Sequence, residues 1–259
     1  MGLTAHGVGD IALDGHDLLG DGGMTLEVRR DTTDAWSVGA ERYDEPVVAA
    51  FEASGEWQVE ESGPLRARVW CEGWIAHSRA RWTLSVERAS PCLDMTVEIV
   101  FNEPGRLLQL SISLVAAPAG WMIGLPGGLL SRLPDGREWP LQAWTCLDLP
   151  EASLAVVTDD CYSTSLEDRT WRGTLLRSPE MARLYGPWDS EGRAPTARRR
   201  HTDQGAHVFS FTLYGSSTAL ESSVLQRAVE HMAHPPIVFD RYEGLDRPPW
   251  GNVAPDFLR

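Results

Sequence analysis

The densest polar cluster in the chain is His201-Thr-Asp-Gln-Gly-Ala-His207, which sets two histidines, a carboxylate and an amide ahead of Val208-Phe-Ser-Phe-Thr-Leu213. Histidine and aspartate a few residues apart suit general acid–base work, because both can exchange a proton when held near a reacting group. The same residues equally suit the polar entrance to a β-strand. Asp159-Asp160 follows the apolar run Leu154 to Val157 and offers two carboxylates, the pair that sugar hydrolysis uses as nucleophile and acid. Neighbours on a strand point to opposite faces, so the dipeptide alone makes a poor pair. His231-Met-Ala-His234 brings two histidines to the end of a helical pattern but supplies only two metal ligands, and a helix C-terminus favours histidine in any case. Cys71, Cys92, Cys146 and Cys161 contain no CxxC pair, which argues for free thiols in a reducing compartment rather than a metal knuckle.

Several chemistries are excluded by composition. The chain has no lysine, so Schiff-base catalysis is ruled out. It has no GxSxG, no glycine-rich phosphate loop and no dinucleotide fingerprint. A formal charge of −14 repels nucleic-acid phosphates. No apolar run approaches the roughly 18 residues of a membrane span, and Met1 to Gly9 carry no secretory pattern, so a cytoplasmic address with no membrane partner is expected. Eleven tryptophans are many for 259 residues. Most belong in a core, while Trp188 and Trp250, in polar or Pro-Gly surroundings, are candidates for stacking on a sugar ring.

The elements that must position these residues are strands. Leu108-Gln-Leu-Ser-Ile-Ser-Leu114 alternates strictly, as do Arg66 to Cys71, Trp82 to Glu87 and Leu93 to Phe101, and this period of two marks half-buried antiparallel strands. Further strands are expected at Met24 to Arg29, Val47 to Glu52, Glu56 to Glu60, Leu154 to Thr158, Thr170 to Leu176, Val208 to Leu213 and Ile237 to Asp240, punctuated by turns such as Gly63-Pro64, Pro126-Gly127-Gly128 and Pro134-Asp135-Gly136. One helix is expected where Leu220, Val224, Ala228 and Met232 share a face, with Ser217 or Thr218 as its cap and Pro235-Pro236 as its stop. Tyr185 to Arg200, ending on Arg198-Arg199-Arg200, reads as the longest loop, its charges facing water. The pattern predicts an all-β protein, a large antiparallel β-sandwich with one short helix near the C-terminus. The 259 residues read as one domain, with no linker rich enough in Pro, Gly or Ser to divide them.

Five segments carry a resemblance. Asp31-Thr-Thr-Asp-Ala-Trp36 with Gly39 and Arg42-Tyr43, Glu61-Ser-Gly-Pro-Leu-Arg-Ala-Arg-Val69, Leu175-Leu-Arg-Ser-Pro179, Thr202-Asp-Gln-Gly-Ala-His207 and Phe209-Ser-Phe-Thr-Leu-Tyr214 occur in that order. Together they resemble the C-terminal β-sandwich region of the zinc-dependent retaining α-mannosidases, glycoside hydrolase family thirty-eight, over about residues 10 to 215. Residues 216 to 259 then hold the helix, a closing strand and a tail. The resemblance implies a sandwich of the galactose-mutarotase-like kind, and a carbohydrate partner of the mannoside type. It also implies a nucleophilic aspartate and a zinc site that belong to a separate catalytic domain or subunit. No position in this chain matches those zinc ligands, so neither a catalytic residue nor a metal ligand is carried over. What carries over is an edge of a sugar cleft: Asp34, Trp36, Asp160, Arg177, Asp203, Gln204 and His207. The family's Asn-Asp-Cys-Lys-Tyr-Gly-Tyr-like strand end reads Thr158-Asp-Asp-Cys-Tyr-Ser-Thr164 here, which retains Asp160 and Cys161 but little else.

Three functions follow as expectations. The first is a β-sandwich module of an α-mannosidase-like glycoside hydrolase that does not hydrolyse alone. The second is a stand-alone carbohydrate-binding protein. The third is a mutarotase-like sugar epimerase, whose acid and base would have to come from His77, His207, Asp160 and Glu98. Asp203-Gln-Gly205 itself reads best as a turn leading into the strand, with Gly205 at positive φ.

Overall fold

The structure is a computed structural model that describes residues 1–33, 35–37, 40–180 and 201–233. Its first strands are β1 (Gly2–Thr4), β2 (Gly7–Asp10), β3 (Ala12–Leu13), β4 (His16–Asp17) and β5 (Leu19–Arg30). Then come β6 (Val47–Ala50), β7 (Glu52–Ala53), β8 (Gln58–Ser62), β9 (Arg66–Ile75), β10 (Ser78–Glu87) and β11 (Cys92–Phe101). The second half holds β12 (Arg106–Leu114), β13 (Gly120–Leu125), β14 (Gly128–Arg132), β15 (Trp139–Pro140) and β16 (Ala143–Asp148). It closes with β17 (Ser153–Thr158), β18 (Ser163–Glu167), β19 (Thr170–Arg177), β20 (Gly205–Ser216) and the helix α1 (Ser222–Ala233).

These strands form an antiparallel sandwich, as the alternation predicts. One sheet has eight strands in the order β1-β2-β5-β12-β19-β18-β15, with β6 also on β5. The other has ten, in the order β14-β13-β16-β17-β20-β11-β10-β9-β7, with β8 also on β9. Met95, Val97, Ile99 and Phe101 of β11 turn inward with Trp82 and Leu84 of β10, and meet Leu26, Val28, Leu108, Leu110 and Ile112 from the facing sheet in one core. Trp82, Trp121 and Trp171 are fully buried there. Burying side chains of this size contributes on the order of 1.5–3 kcal/mol each, which is what holds the sheets face to face.

Strands without alternation are those buried on both faces. All six residues of β17 are buried. The reason is α1, whose Leu225 packs with Trp144, Cys146, Ala155 and Val157 on the outer side of β16 and β17. The helix begins later than its expected cap. Thr218 donates its N–H to Ser216 Oγ in a turn, and the first helical bonds run from Val224 and Leu225 to the Glu221 carbonyl. Glu56 and Trp57 precede β8 rather than opening it. Asp34, Trp188, His234, Pro235-Pro236, Ile237 to Asp240, Trp250 and the whole expected loop from Tyr185 to Arg200 lie outside the described residues.

Candidate functional site

Four chain segments meet at one end of the sandwich, where the chain leaves or enters its longest strands. Arg30, the last residue of β5, is paired with Arg106 at the start of β12, and Leu107 with Arg177 at the end of β19. In the opposite sheet Phe101 of β11 is paired with Gly205, the first residue of β20. The links after β5, β11 and β19 therefore share one rim. Backbone bonds tie them together: Asp31 N–H donates to the Gly105 carbonyl (3.0 Å), Gly105 N–H to Ser178 (2.8 Å) and Ala35 N–H to Glu180 (3.1 Å).

Arg177 is the knot. Its Nε donates to Asp31 Oδ2 at 2.9 Å and its Nη2 to Asp31 Oδ1 at 3.0 Å, the two-pronged geometry in which a guanidinium grips a carboxylate best. It also donates to the hydroxyls of Thr33 and Ser37 and lies 5.0 Å from the centre of the Tyr43 ring. The Asp31 side chain is 0% exposed and that of Arg177 17%. Thr33 completes the shell around Asp31, giving its hydroxyl (2.7 Å) and its N–H (3.1 Å) to Oδ1. Asp31, Thr33, Ser37 and Tyr43 are thereby gathered around Arg177 of β19, and Trp36 stands among them with 66% of its surface exposed.

A second clasp fastens the entrance to β20. Gln204 Nε2 donates to Ser178 Oγ (2.5 Å), which donates onward to the Thr202 carbonyl (2.6 Å), while His201 Nδ1 donates to the Ser178 carbonyl (3.1 Å). Asp203 has φ 50° and Gly205 φ 112°, so both lie in the left-handed region and reverse the chain into the strand. His207 Nε2 donates back to the Asp203 carbonyl at 3.0 Å, and its ring stacks on Phe209 at 6.1 Å. These bonds fix the two rings and the amide in place, each histidine through one ring nitrogen.

Beside the Arg177 knot, the outer face of the eight-stranded sheet is polar yet covered. Glu27 (β5), Gln109 (β12), Thr174 (β19) and Ser163 (β18) lie in one row across four strands. Above the row sits Glu138, which accepts bonds from Ser163 Oγ, from Thr174 Oγ1 at 3.3 Å and from Gln109 Nε2 at 3.4 Å. Its N–H reaches the Glu41 carbonyl (2.9 Å), which joins it to the chain after β5. Burial pushes the Glu138 carboxyl above the usual carboxylate range, and the hydroxyls of Ser163, Ser165 and Thr174 pull it partly back. Burial likewise raises the Tyr43 phenol, opposed by the positive charge of Arg177.

Of the residues singled out in the sequence, Trp36, Arg177, Asp203, Gln204 and His207 come to this rim. Asp34 lies outside the described residues. Asp160 is held elsewhere: its Oδ2 accepts the Ser210 N–H at 2.8 Å on β20, and burial raises its carboxyl while that bond lowers it. The four epimerase candidates do not converge. His77 is 85% exposed beside Glu103, and Glu98 faces solvent beside Arg81, paired with Val208 rather than His207. Asp31, Tyr43, Glu138 and Gln109 are the functional neighbours that sequence reasoning missed. Asp31 and Tyr43 stood inside a quoted motif, and Gln109 on the polar side of the clearest strand. Glu138 had no local signal. Among the described residues no group of three His, Cys, Asp or Glu side chains is placed to hold a metal ion. The arrangement is a rigid mount that holds an aromatic ring, Trp36, at a polar rim.

Residues 16–183 match the family described as Glycosyl hydrolases family 38 C-terminal domain. Among solved structures, an alpha-mannosidase from Enterococcus faecalis V583 superposes with a TM-score of 0.69 at 11% identity, over 85% of this chain and 28% of that one. A protein in the Glycosyl Hydrolase Family 38 from Enterococcus faecalis gives 0.67 at 11% identity, over 85% and 29%. A putative aldose 1-epimerase from Escherichia coli K12 gives 0.41 at 12% identity, over 81% and 92%. The two Enterococcus proteins share the sandwich fold, and this chain spans less than a third of the length of either. No curated protein matches the chain.

Proposed function

This chain belongs to the family of glycosyl hydrolases family 38 C-terminal domains, and we propose that it serves as the β-sandwich module of an α-mannosidase-like glycoside hydrolase. Its part is to edge a sugar cleft whose nucleophile and zinc are supplied by a separate catalytic domain or subunit. The observation that supports this reading is the clamp around Arg177. A buried ion pair and several hydroxyl and backbone bonds hold Asp31, Thr33, Ala35 and Ser37, and the chain between them displays Trp36 at 66% exposure. An indole fixed in this way gives an apolar sugar face a stacking surface at little entropic cost. His201, Gln204 and His207 each spend one side-chain nitrogen on holding the rim, which supports a positioning role for them. The ligand is a mannoside-type carbohydrate. The free thiols of Cys71, Cys92, Cys146 and Cys161 favour a reducing compartment, hence the cytoplasm.

The test is hydrolysis of an aryl α-mannoside by the purified 259 residues, with and without added zinc. No release of the phenol above buffer is expected in either case, and zinc-dependent turnover sinks the reading. A companion titration with methyl α-mannoside, followed by saturation-transfer NMR, is expected to show contact with Trp36 that disappears in Trp36→Ala.

A further inference from the structure

We propose a second, neutral sugar-binding site in the cavity between the β13–β14 hairpin and the helix α1. It shares no residue with the rim that carries Trp36 and does not depend on that rim's role. The cavity has a volume of about 490 Å3, inside the range of roughly 300–1,000 Å3 usual for small-molecule sites. Its walls are chemically unusual for this protein. None of the described residues that line it is charged, in a chain where 23% of residues are. The polar groups are two amides and two hydroxyls, Gln142, Gln226, Ser222 and Ser223, set beside Trp144 and Leu125.

Amides and hydroxyls both donate and accept, and so match the hydroxyls of a pyranose, whereas a phosphate or carboxylate would find no cation among the described lining residues. The apolar wall accepts the C–H face of such a ring. A neutral glycoside of one or two pyranose rings is therefore the ligand class.

The backbone is bent to make this cavity. Gln142, Ala143 and Trp144 are consecutive and all line it, although successive residues of a regular strand face opposite sides. Ala143 permits this by adopting φ 75°, a left-handed conformation that is strained for a non-glycine residue. The strain is held in place by Gln142, whose N–H donates to the Gly124 carbonyl at 3.0 Å, and by the pairing of Ala143 with Thr158. Opposite, Gly124 lets the Trp144 ring lie against β13, since a Cβ there would stand 2.6 Å from Trp144 Nε1. Gly127, at φ 77°, closes the hairpin that forms the other wall. Strained backbone maintained by its surroundings is a recurrent mark of ligand sites.

Calorimetric titration of the full chain with methyl α-mannoside, methyl α-glucoside and glucuronate tests this, alongside Gln142→Ala and Gln226→Ala. Both glutamines are exposed, so each variant should fold, which a melting curve checks. Binding of the neutral glycosides is expected in the millimolar range, about 3- to 10-fold weaker in each glutamine variant, for one lost hydrogen bond apiece. Glucuronate should bind at least 10-fold more weakly than the neutral sugars. No binding of either neutral glycoside at 50 mM (a concentration of about ten times the expected Kd), or binding unchanged in both glutamine variants, overturns the proposal. Binding lost only in Trp36→Ala also overturns it while leaving the cleft-edge reading intact. Weaker binding in Gln142→Ala and Gln226→Ala that persists in a Trp36→Ala background supports it.

Discussion

Replacing Arg177 with methionine removes the cation that holds Asp31. Methionine fills much of the same volume along the stem, so the change isolates the charged head. The Asp31 side chain is 0% exposed and keeps only the Thr33 hydroxyl and N–H as donors. Leaving one member of a buried ion pair alone costs about 3–5 kcal/mol. Arg177 is itself 17% exposed, and water will reach Asp31 once the guanidinium is gone, so the lower end, about 3 kcal/mol, is expected. At roughly 2–4 °C per kcal/mol for a domain of this size, the melting temperature should fall by about 6–12 °C. Arg177→Lys should restore less than half of this, because an ammonium cannot serve Asp31, Thr33 and Ser37 from one planar fork. Urea unfolding followed by tryptophan fluorescence measures the loss, and Asp31→Asn with the double variant completes a cycle. The two single losses should exceed the double loss by more than about 1 kcal/mol, since the groups act as a pair. Strict additivity, or a loss below about 1 kcal/mol in Arg177→Met, would refute the view that this pair clamps the residues gathered around Arg177.

Two further outcomes follow from burial. Because burial holds the Glu138 carboxyl above its ordinary range, the folded state binds that proton more tightly than the unfolded chain does. Its contribution is therefore most favourable below the ordinary glutamate range and declines as pH rises through the raised value, so Glu138→Gln should gain stability relative to the parent on going from pH 4 to pH 8; parallel unfolding curves would contradict this. Thiol titration of the native protein should label Cys92 first, since Cys71, Cys146 and Cys161 are buried and burial pushes the thiols of Cys146 and Cys161 up to about 12; Cys92→Ser should remove the fast phase, and persistence of that phase would count against the burial pattern.

The sandwich was legible because period two is a local property. In Leu108-Gln-Leu-Ser-Ile-Ser-Leu114 the covalent geometry of an extended chain sends alternate side chains to opposite faces, so composition alone separates the core side from the other. The turn at Asp203-Gln-Gly205 was legible for a similar reason, and Gly205 takes the positive φ expected of it. The helix face was visible in its spacing, whereas its start was not, because Ser216 to Glu221 offer several polar residues and the one used depends on where the helix docks. Strand β16 escaped notice because a helix covers its second face, which erases alternation, whereas β17 was legible as the apolar run Leu154 to Thr158.

The candidate site divides along the same line. Sequence by itself determined that Gln109 and Ser111 lie on the polar side of β12, and that a strand runs from Thr170 to Leu176, just before Arg177. Only the tertiary structure decided that this polar side is buried. Gln109 is 0% exposed because Glu138 and the segment after β5 fold over it. Arg177 meets Asp31 across a separation of 146 residues, and Asp160 is drawn away to the Ser210 N–H on β20. Such pairings depend on which strands lie side by side, a choice made by the whole core at once, and no spacing within a single segment encodes it.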